Sequence, residues 1–285
     1  MNELSTEKRA TILSMICEGM SIRATARVVG VSKNTVTKLI MDVGDACSRY
    51  QDEAFRNLNS AFVESDEIWS FVGCKEANNT NDDPAQGSIW TWTALDADSK
   101  LIITWLVGDR SSDSAHVYLS DLASRLSHRI QLSTDGWKAY SHTVRLVFGT
   151  QGGVDWGTII KTFGGGDDDH RYSPAECSGS RRQRKFGNPD LGRVNTSYVE
   201  RQNLSIRMGS RRYTRLTNAF SKKIENHCAA TALHFAFYNL CRDHGTLNKK
   251  YGTKTTPAMA AGVEDHVWTA AELVGLLDRY EAIAA

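Results

Sequence analysis

No C-x-x-C pair occurs in the 285 residues, and the six cysteines (Cys17, Cys47, Cys74, Cys177, Cys228 and Cys241) stand far apart. This excludes a zinc ribbon and a disulfide framework, and leaves reduced thiols, mostly buried as small hydrophobes, as the expectation. Only four prolines are present, too few for a collagen-like or mucin-like chain. No segment reaches the roughly 18 consecutive apolar residues of a membrane helix. The opening Met1-Asn2-Glu3-Leu4-Ser5 lacks the basic-then-apolar order of a signal peptide, so a cytoplasmic protein with no membrane partner is expected. A strong overall charge is missing too, the net value being +1. The imbalance is local instead. Between Gly179 and Lys223 twelve Lys and Arg face two acids, Asp190 and Glu200, so 45 residues carry +10 and the remainder −9. Such polarisation suits one face that meets a polyanion.

What is present is an ordinary globular composition, 41% apolar and 24% charged, long enough for about two domains at roughly 150 residues each. Residues 6–44 read as three short helices, the last two joined through Val28-Val29-Gly30-Val31-Ser32. Gly30 suits the tight turn and Ser32 suits a helix cap. This is the layout of a helix-turn-helix, assigned to residues 1–50. Ile22, Val29, Val31, Val36 and Leu39 form its inner face; Lys33, Asn34, Thr35, Thr37 and Lys38 point outward. The outward types are those that bond phosphates and base edges, so they are the candidate DNA contacts. The segment's net charge is near zero, so a three-helix module docking on protein stays open.

From residue 61 the hydrophobic period changes to two. Residues 62–72, 89–94 and 101–107 read as three antiparallel strands, followed by a helix carrying Ala115, Leu119, Leu122 and Leu126 on one stripe. A fourth strand over 130–135, a helical piece near 137–148 and a fifth strand over 158–163 complete the pattern. A stretch of about 150–195 is expected to be an insertion, with loop from 164, since it shows no periodicity. Gly164 to His170, with three consecutive aspartates, reads as a solvated loop. Helices follow over 196–212 and 221–242. A helical tail, 246–285, ends in a helix opened by the capping box Thr269-x-x-Glu272, with Leu273, Leu276, Leu277 and Tyr280 as an amphipathic face.

Three strands, a helix, a strand, a helix, a strand and a helix, with acids on the first strand, at the end of the fourth and on the last helix, is the order of the ribonuclease-H-like fold. The segments Asp66-Glu67-Ile68-Trp69-Ser70-Phe71-Val72-Gly73, Thr134-Asp135-Gly136-Trp137 and Glu200-Arg201-Gln202-Asn203-Leu204-Ser205-Ile206-Arg207 resemble the three signature segments of DDE transposases of bacterial insertion sequence 1 type. The resemblance spans about 62–245. It implies an α/β fold, a five-stranded mixed sheet flanked by helices at 61–245, preceded by the all-α DNA-binding unit. It also implies that Asp66, Asp135 and Glu200 are catalytic and hold two Mg²⁺ ions, with Mn²⁺ able to substitute. Double-stranded DNA, both element ends and target, would be the partner. At least a dimer would assemble on it, near the nucleoid. No cysteine zinc module precedes the helix-turn-helix, unlike many members of the family, so end recognition falls to the helix-turn-helix and the basic face.

The chemistry fits on its own terms. In-line displacement at phosphorus builds charge on attacking and leaving oxygens, and hard cations held by carboxylates offset it. Strand alternation sends Asp66 and Glu67 to opposite faces, so one of the two is expected in the site, and only the resemblance selects Asp66. Arg207 fits the basic residue that the family carries after its glutamate, suited to a phosphate. Arg211, Arg212, Arg215, Lys222 and Lys223 are candidates for backbone contacts. Trp137 has two readings, core packing or stacking on a base. Tyr238-Asn239-x-x-Arg242-x-His244 resembles the end of the catalytic domain in related integrases and transposases, where a structural role is expected. Two other functions compete: a nuclease of the same superfamily that hydrolyses without joining, and a helix-turn-helix transcriptional regulator whose larger domain is degenerate.

Overall fold

The structure is a computed structural model that describes residues 4–80, 83, 85–150, 153–164, 176–214 and 218–284. Three helices open the chain: α1 (Thr6–Cys17), α2 (Ile22–Val29) and α3 (Lys33–Ala54). Each starts at a serine, where Ser5, Ser21 and Ser32 accept from the amides of Lys8, Ala24 and Thr35. These caps satisfy first-turn N–H groups that have no intrahelical partner. Gly30 follows α2 at φ +70°, the left-handed conformation that the turn requires.

The sheet contains β1 (Phe62–Val72), β2 (Gly87–Asp96), β3 (Ile102–Gly108), β4 (Ile130–Thr134), β5 (Val154–Gly164) and β6 (Glu176–Phe186), in spatial order β3-β2-β1-β4-β5-β6. β1, β2 and β3 form an antiparallel meander; β4 runs parallel to β1 and β5 parallel to β4. Helices α4 (Ser112–Arg125) and α5 (Ala139–Thr150) make the crossovers. This order and direction are the ribonuclease-H-like arrangement expected from the sequence.

β6 is a correction. Part of the segment read as loop, 164–195, is an eleven-residue strand antiparallel to β5, and among the described residues the sheet has six strands, not five. β6 is paired on one side only, and Cys177 to Arg182, Arg184 and Lys185 are exposed, so no apolar alternation is required of it. β5 also begins at Val154, ahead of the expected 158. Residues 165–170 of the aspartate-rich loop lie outside the described residues.

After β6 come α6 (Ser197–Gly209), α7 (Ile224–Ala236), which runs into one π turn at Phe237–Cys241, then α8 (Gly245–Tyr251), α9 (Pro257–Ala260) and α10 (Ala270–Ala284). The main core joins Trp92, Tyr118, Tyr140 and Trp156 with Ile12, Leu13, Val36 and Ile40 of the first three helices. On the other face of β1, Ile68 packs with Val199, Ile206, Tyr213 and Phe235 in a smaller core. α3 continues to Ala54 and lies along α7. Their closest approach is at Gly44, where an added Cβ would stand 2.2 Å from the carbonyl oxygen of Ala229. α10 packs on α1 and α3, burying Leu273, Leu276 and Tyr280, and its capping box forms: Glu272 N–H donates to Thr269 Oγ1 at 3.3 Å and Thr269 N–H to Glu272 Oε2 at 2.7 Å. The closing helix thus packs within its own chain.

All six cysteines are free, with Cys17 and Cys47 buried and Cys177 exposed. Among the described residues no helix is long and apolar enough to cross a membrane.

Candidate functional site

Alternate residues of β1 work on opposite sides of the sheet. On one side Glu64 is buried, and its Oε2 accepts the amides of Tyr198 at 2.8 Å and Val199 at 3.0 Å. These are orphan donors of the first turn of α6, whose Thr196 supplies no side-chain cap to a backbone amide. Glu64 therefore pins the start of α6 to the sheet, and its charge suits a helix N-terminus. Burial nevertheless pushes its carboxyl up to about 7. Two residues on, Asp66 Oδ2 accepts from Asn203 Nδ2 at 2.8 Å. Asn203 stands three residues after Glu200, on the same face of α6.

Asp66, Glu67 and Asp135 each bring a carboxylate oxygen to within 4.8 Å of the others. The sequence leads to only one of the first two being there. The difference arises because β1 pairs with β4 only from Phe62 to Glu64. Beyond that point the strands part, and Asp135, immediately after β4, sits beside an unpaired edge of β1 that side chains from either face can reach. Burial first, then the charge of Glu67, then those of Asp135 and Glu200, raise Asp66 to about 7. Burial raises Glu67 to about 7 as well. Tyr140 OH donates to Glu67 Oε1, and Arg110 donates to Oε2 from Nε at 3.2 Å and Nη2 at 3.1 Å. The same guanidinium lies 3.8 Å from Asp135 Oδ2. It is sandwiched between Trp90 and Trp137, at 4.6 and 4.7 Å from the ring centroids. Trp137 also packs 5.3 Å from Trp92, which makes it an aromatic wall of the core edge. Asp135 Oδ1 accepts the amide of Trp137 at 2.9 Å, so the turn role of this residue and its place in the cluster coexist.

Glu200 is not in that cluster. Its carboxylate is 42% exposed and bonded by Lys161 Nζ of β5, and Thr196 Oγ1 donates to it at 2.6 Å. Asp66 and Asp135 are thus together, with Glu200 on the adjoining helix and committed to a lysine. Glu64, Arg110 and Lys161 were not singled out as site residues by sequence reasoning, and Glu67 was weighed only as the alternative to Asp66. The Glu64-x-Asp66 spacing is the one available signal, since it places both acids on one face of a strand.

The candidate DNA contacts separate into two groups. A groove of about 1420 Å³ is lined by Lys33, Asn34 and Thr37 of α3, Lys75 beyond β1, and Arg211, Arg212 and Lys222 of the α6–α7 connection. Residues chosen from two distant parts of the sequence therefore face one space. Thr35 instead bonds Ser32 and Lys38 pairs with Asp42. Arg212 donates to Ser221 Oγ at 2.6 Å, and Ser221 Oγ lies 3.1 Å from Nδ1 of buried His227. Burial, then the charge of Arg212, hold His227 neutral at about 3. Arg212 consequently fastens the connection to α7. Arg207 is half-buried on α6, and Lys223 is exposed. Arg215 lies outside the described residues. Asn239 is buried and bridges to both the N–H and the C=O of Ile102, the structural role expected for its motif.

Residues 3–40 match the family model of a homeodomain-like domain. No curated protein matches the chain. Among solved structures it is similar to a Mos1 transposase paired-end complex with left transposon end, at 15% identity over 54% of this chain and 60% of that one, with a TM-score of 0.24. It is similar likewise to a pre-cleavage Mos1 transpososome, at 15% identity, the same coverage and a TM-score of 0.25. The chain spans 60% of the length of each of these relatives.

Proposed function

We propose that this protein is a DDE transposase that cleaves DNA at the ends of an insertion sequence and joins them to target DNA. The observation that carries the proposal is the carboxylate cluster of Asp66, Glu67 and Asp135 at the parting of β1 and β4, beside the helix that bears Glu200. Its donors are all oxygen and two of its acids are held near neutrality by burial and mutual repulsion, so the site suits a hard divalent cation. Asp66, Asp135 and, once free of Lys161, Glu200 would hold Mg²⁺, or Mn²⁺ in its place. Bound there, the ions would offset the charge that builds on phosphodiester oxygens during in-line displacement.

The chain's own residues do the positioning. Asn203 orients the Asp66 carboxylate, Arg110 and Tyr140 orient Glu67, and Glu64 sets the height of α6 above β1. Lys33, Asn34 and Thr37 would meet a duplex at the groove, with Arg211 and Lys222 on its phosphates. Joining two element ends calls for at least two subunits.

The test is strand transfer of a labelled, pre-cut element-end oligonucleotide into plasmid DNA, with Mg²⁺ or EDTA, using wild type, Asp66→Asn and Glu200→Gln. Joining by wild type alone, dependent on metal and reduced at least about 100-fold in both variants, supports the proposal. Metal-dependent cutting without joining would replace it with a nuclease. Sequence-specific binding with neither activity would replace it with a regulator.

A further inference from the structure

We propose that β6 is a second nucleic-acid surface, distinct from the groove beside α3, which holds the target duplex by its phosphates without reading sequence. This rests on the transposase reading above. Arg181, Arg182, Arg184 and Lys185 are all exposed on this edge strand, and among the described residues none of them is paired with an acid. The nearby Asp155 is bonded by Arg129, at 2.8 and 2.7 Å, and feels the charge of Arg184 more weakly without an ion pair to it.

The register places part of this charge beside the acids. Arg184 is opposite Gly157, Arg182 opposite Ile159 and Ser180 opposite Lys161. Residues directly opposite in an antiparallel pair share a face, so Arg184, Arg182 and Lys161 lie on one side, and Lys161 bonds Glu200. Cations therefore step away from Glu200 at intervals of two residues, about 7 Å each. Arginines on such a row can grip phosphate oxygens bidentately. The exposed cationic side chains of β6 are arginines and a lysine, the types that most often bond phosphate oxygens.

The location argues for a second DNA segment. The groove opens at the far end of β1, near Lys75, whereas β6 is separated from β1 by β4 and β5. The acid cluster lies between them, as a reaction with two DNA partners requires. Cations also guard edge strands against pairing with other chains. The opposite edge, β3, reads Ile-Ile-Thr-Trp-Leu-Val-Gly without a charge, so the sheet does not protect both edges this way.

The experiment compares the full-length wild type with R181Q/R182Q/R184Q/K185Q and with the matching three-arginine-to-lysine variant. Three probes are used: a labelled random-sequence duplex in EDTA across a salt series, a labelled element-end duplex, and pre-cut ends joined to plasmid with Mg²⁺. Expected for the glutamine variant are end binding within twofold of wild type, random-duplex affinity reduced at least tenfold, and joining reduced at least tenfold. The salt slope should shrink by up to about 0.9 per lost phosphate contact. The lysine variant should recover most of the loss. Unchanged random-duplex binding, with or without self-association of the variant, overturns the proposal and leaves edge protection as the role of these cations. Loss of end binding together with joining overturns it in favour of an end-binding surface. Should wild type join nothing, the transposase reading fails, and the random-duplex arm still decides whether β6 binds DNA.

Discussion

Asp66 and Glu67 are neighbours on a strand, and both carboxyls are held near 7 by burial, against about 4 for such groups in an unfolded chain. Between those values the folded protein keeps protons that the unfolded chain has released, so stability falls as pH rises from about 4 to about 7 and levels off above. Calorimetry in EDTA should show Tm declining across this window. Asp66→Asn, which removes one of the buried charges, should raise Tm at pH 7.5 by roughly 2–4 °C per kcal/mol recovered, and adding Mg²⁺ to wild type should act in the same direction. A lower Tm for Asp66→Asn at pH 7.5 would show that the cluster is not repulsive. Asp66 and Asp135 were legible in the sequence because each sits in a recognisable segment. Glu67 was legible only as an alternative to Asp66, because alternation describes a strand with neighbours on both sides and β1 loses one of its neighbours after Glu64. Lys161 and Glu200 are 39 positions apart, and no one-dimensional spacing announces such a pair.

Among the elements, α3 shows how far periodicity carries. Its N-terminal half has the alternation of a recognition helix, and residues 33–44 were readable as such. The continuation to Ala54 is dictated by tertiary packing on α7, centred on a glycine whose value is the absence of a Cβ. Gly44→Ala should force the two helices apart and cost about 2–3 kcal/mol or more, read as a drop in denaturant midpoint with the m-value unchanged. A change within about 0.5 kcal/mol would mean that the helices are not in backbone contact. β6 marks the opposite limit. A strand wet on both faces carries no hydrophobic period, so its basic residues were visible as charge and invisible as structure.

For the whole molecule, one helix of 22 residues, about 33 Å at 1.5 Å per residue, carries the candidate DNA-reading side chains at one end and is locked to α7 from its middle at Gly44 onward. No slack separates the helix that lines the groove from the domain that holds the acid cluster. Under the transposase reading, inserting one to three base pairs between the recognised end sequence and the element terminus should move the cut inward by the same number, as mapped by primer extension. A cut that stays at the original terminus would require a flexible link that the fold does not provide.

The wall behind the reading helices has a further consequence. Tyr280 OH of α10 donates to Glu53 of α3 at 2.9 Å across 227 positions of sequence, and the helices around that bond share the main core. Closing so long a loop is entropically slow relative to forming α1, α2 and α3 themselves. During synthesis these three helices emerge before α10 and lack its support until it arrives, so a nascent chain holds no finished groove-lining unit while the acid-bearing sheet is still being made.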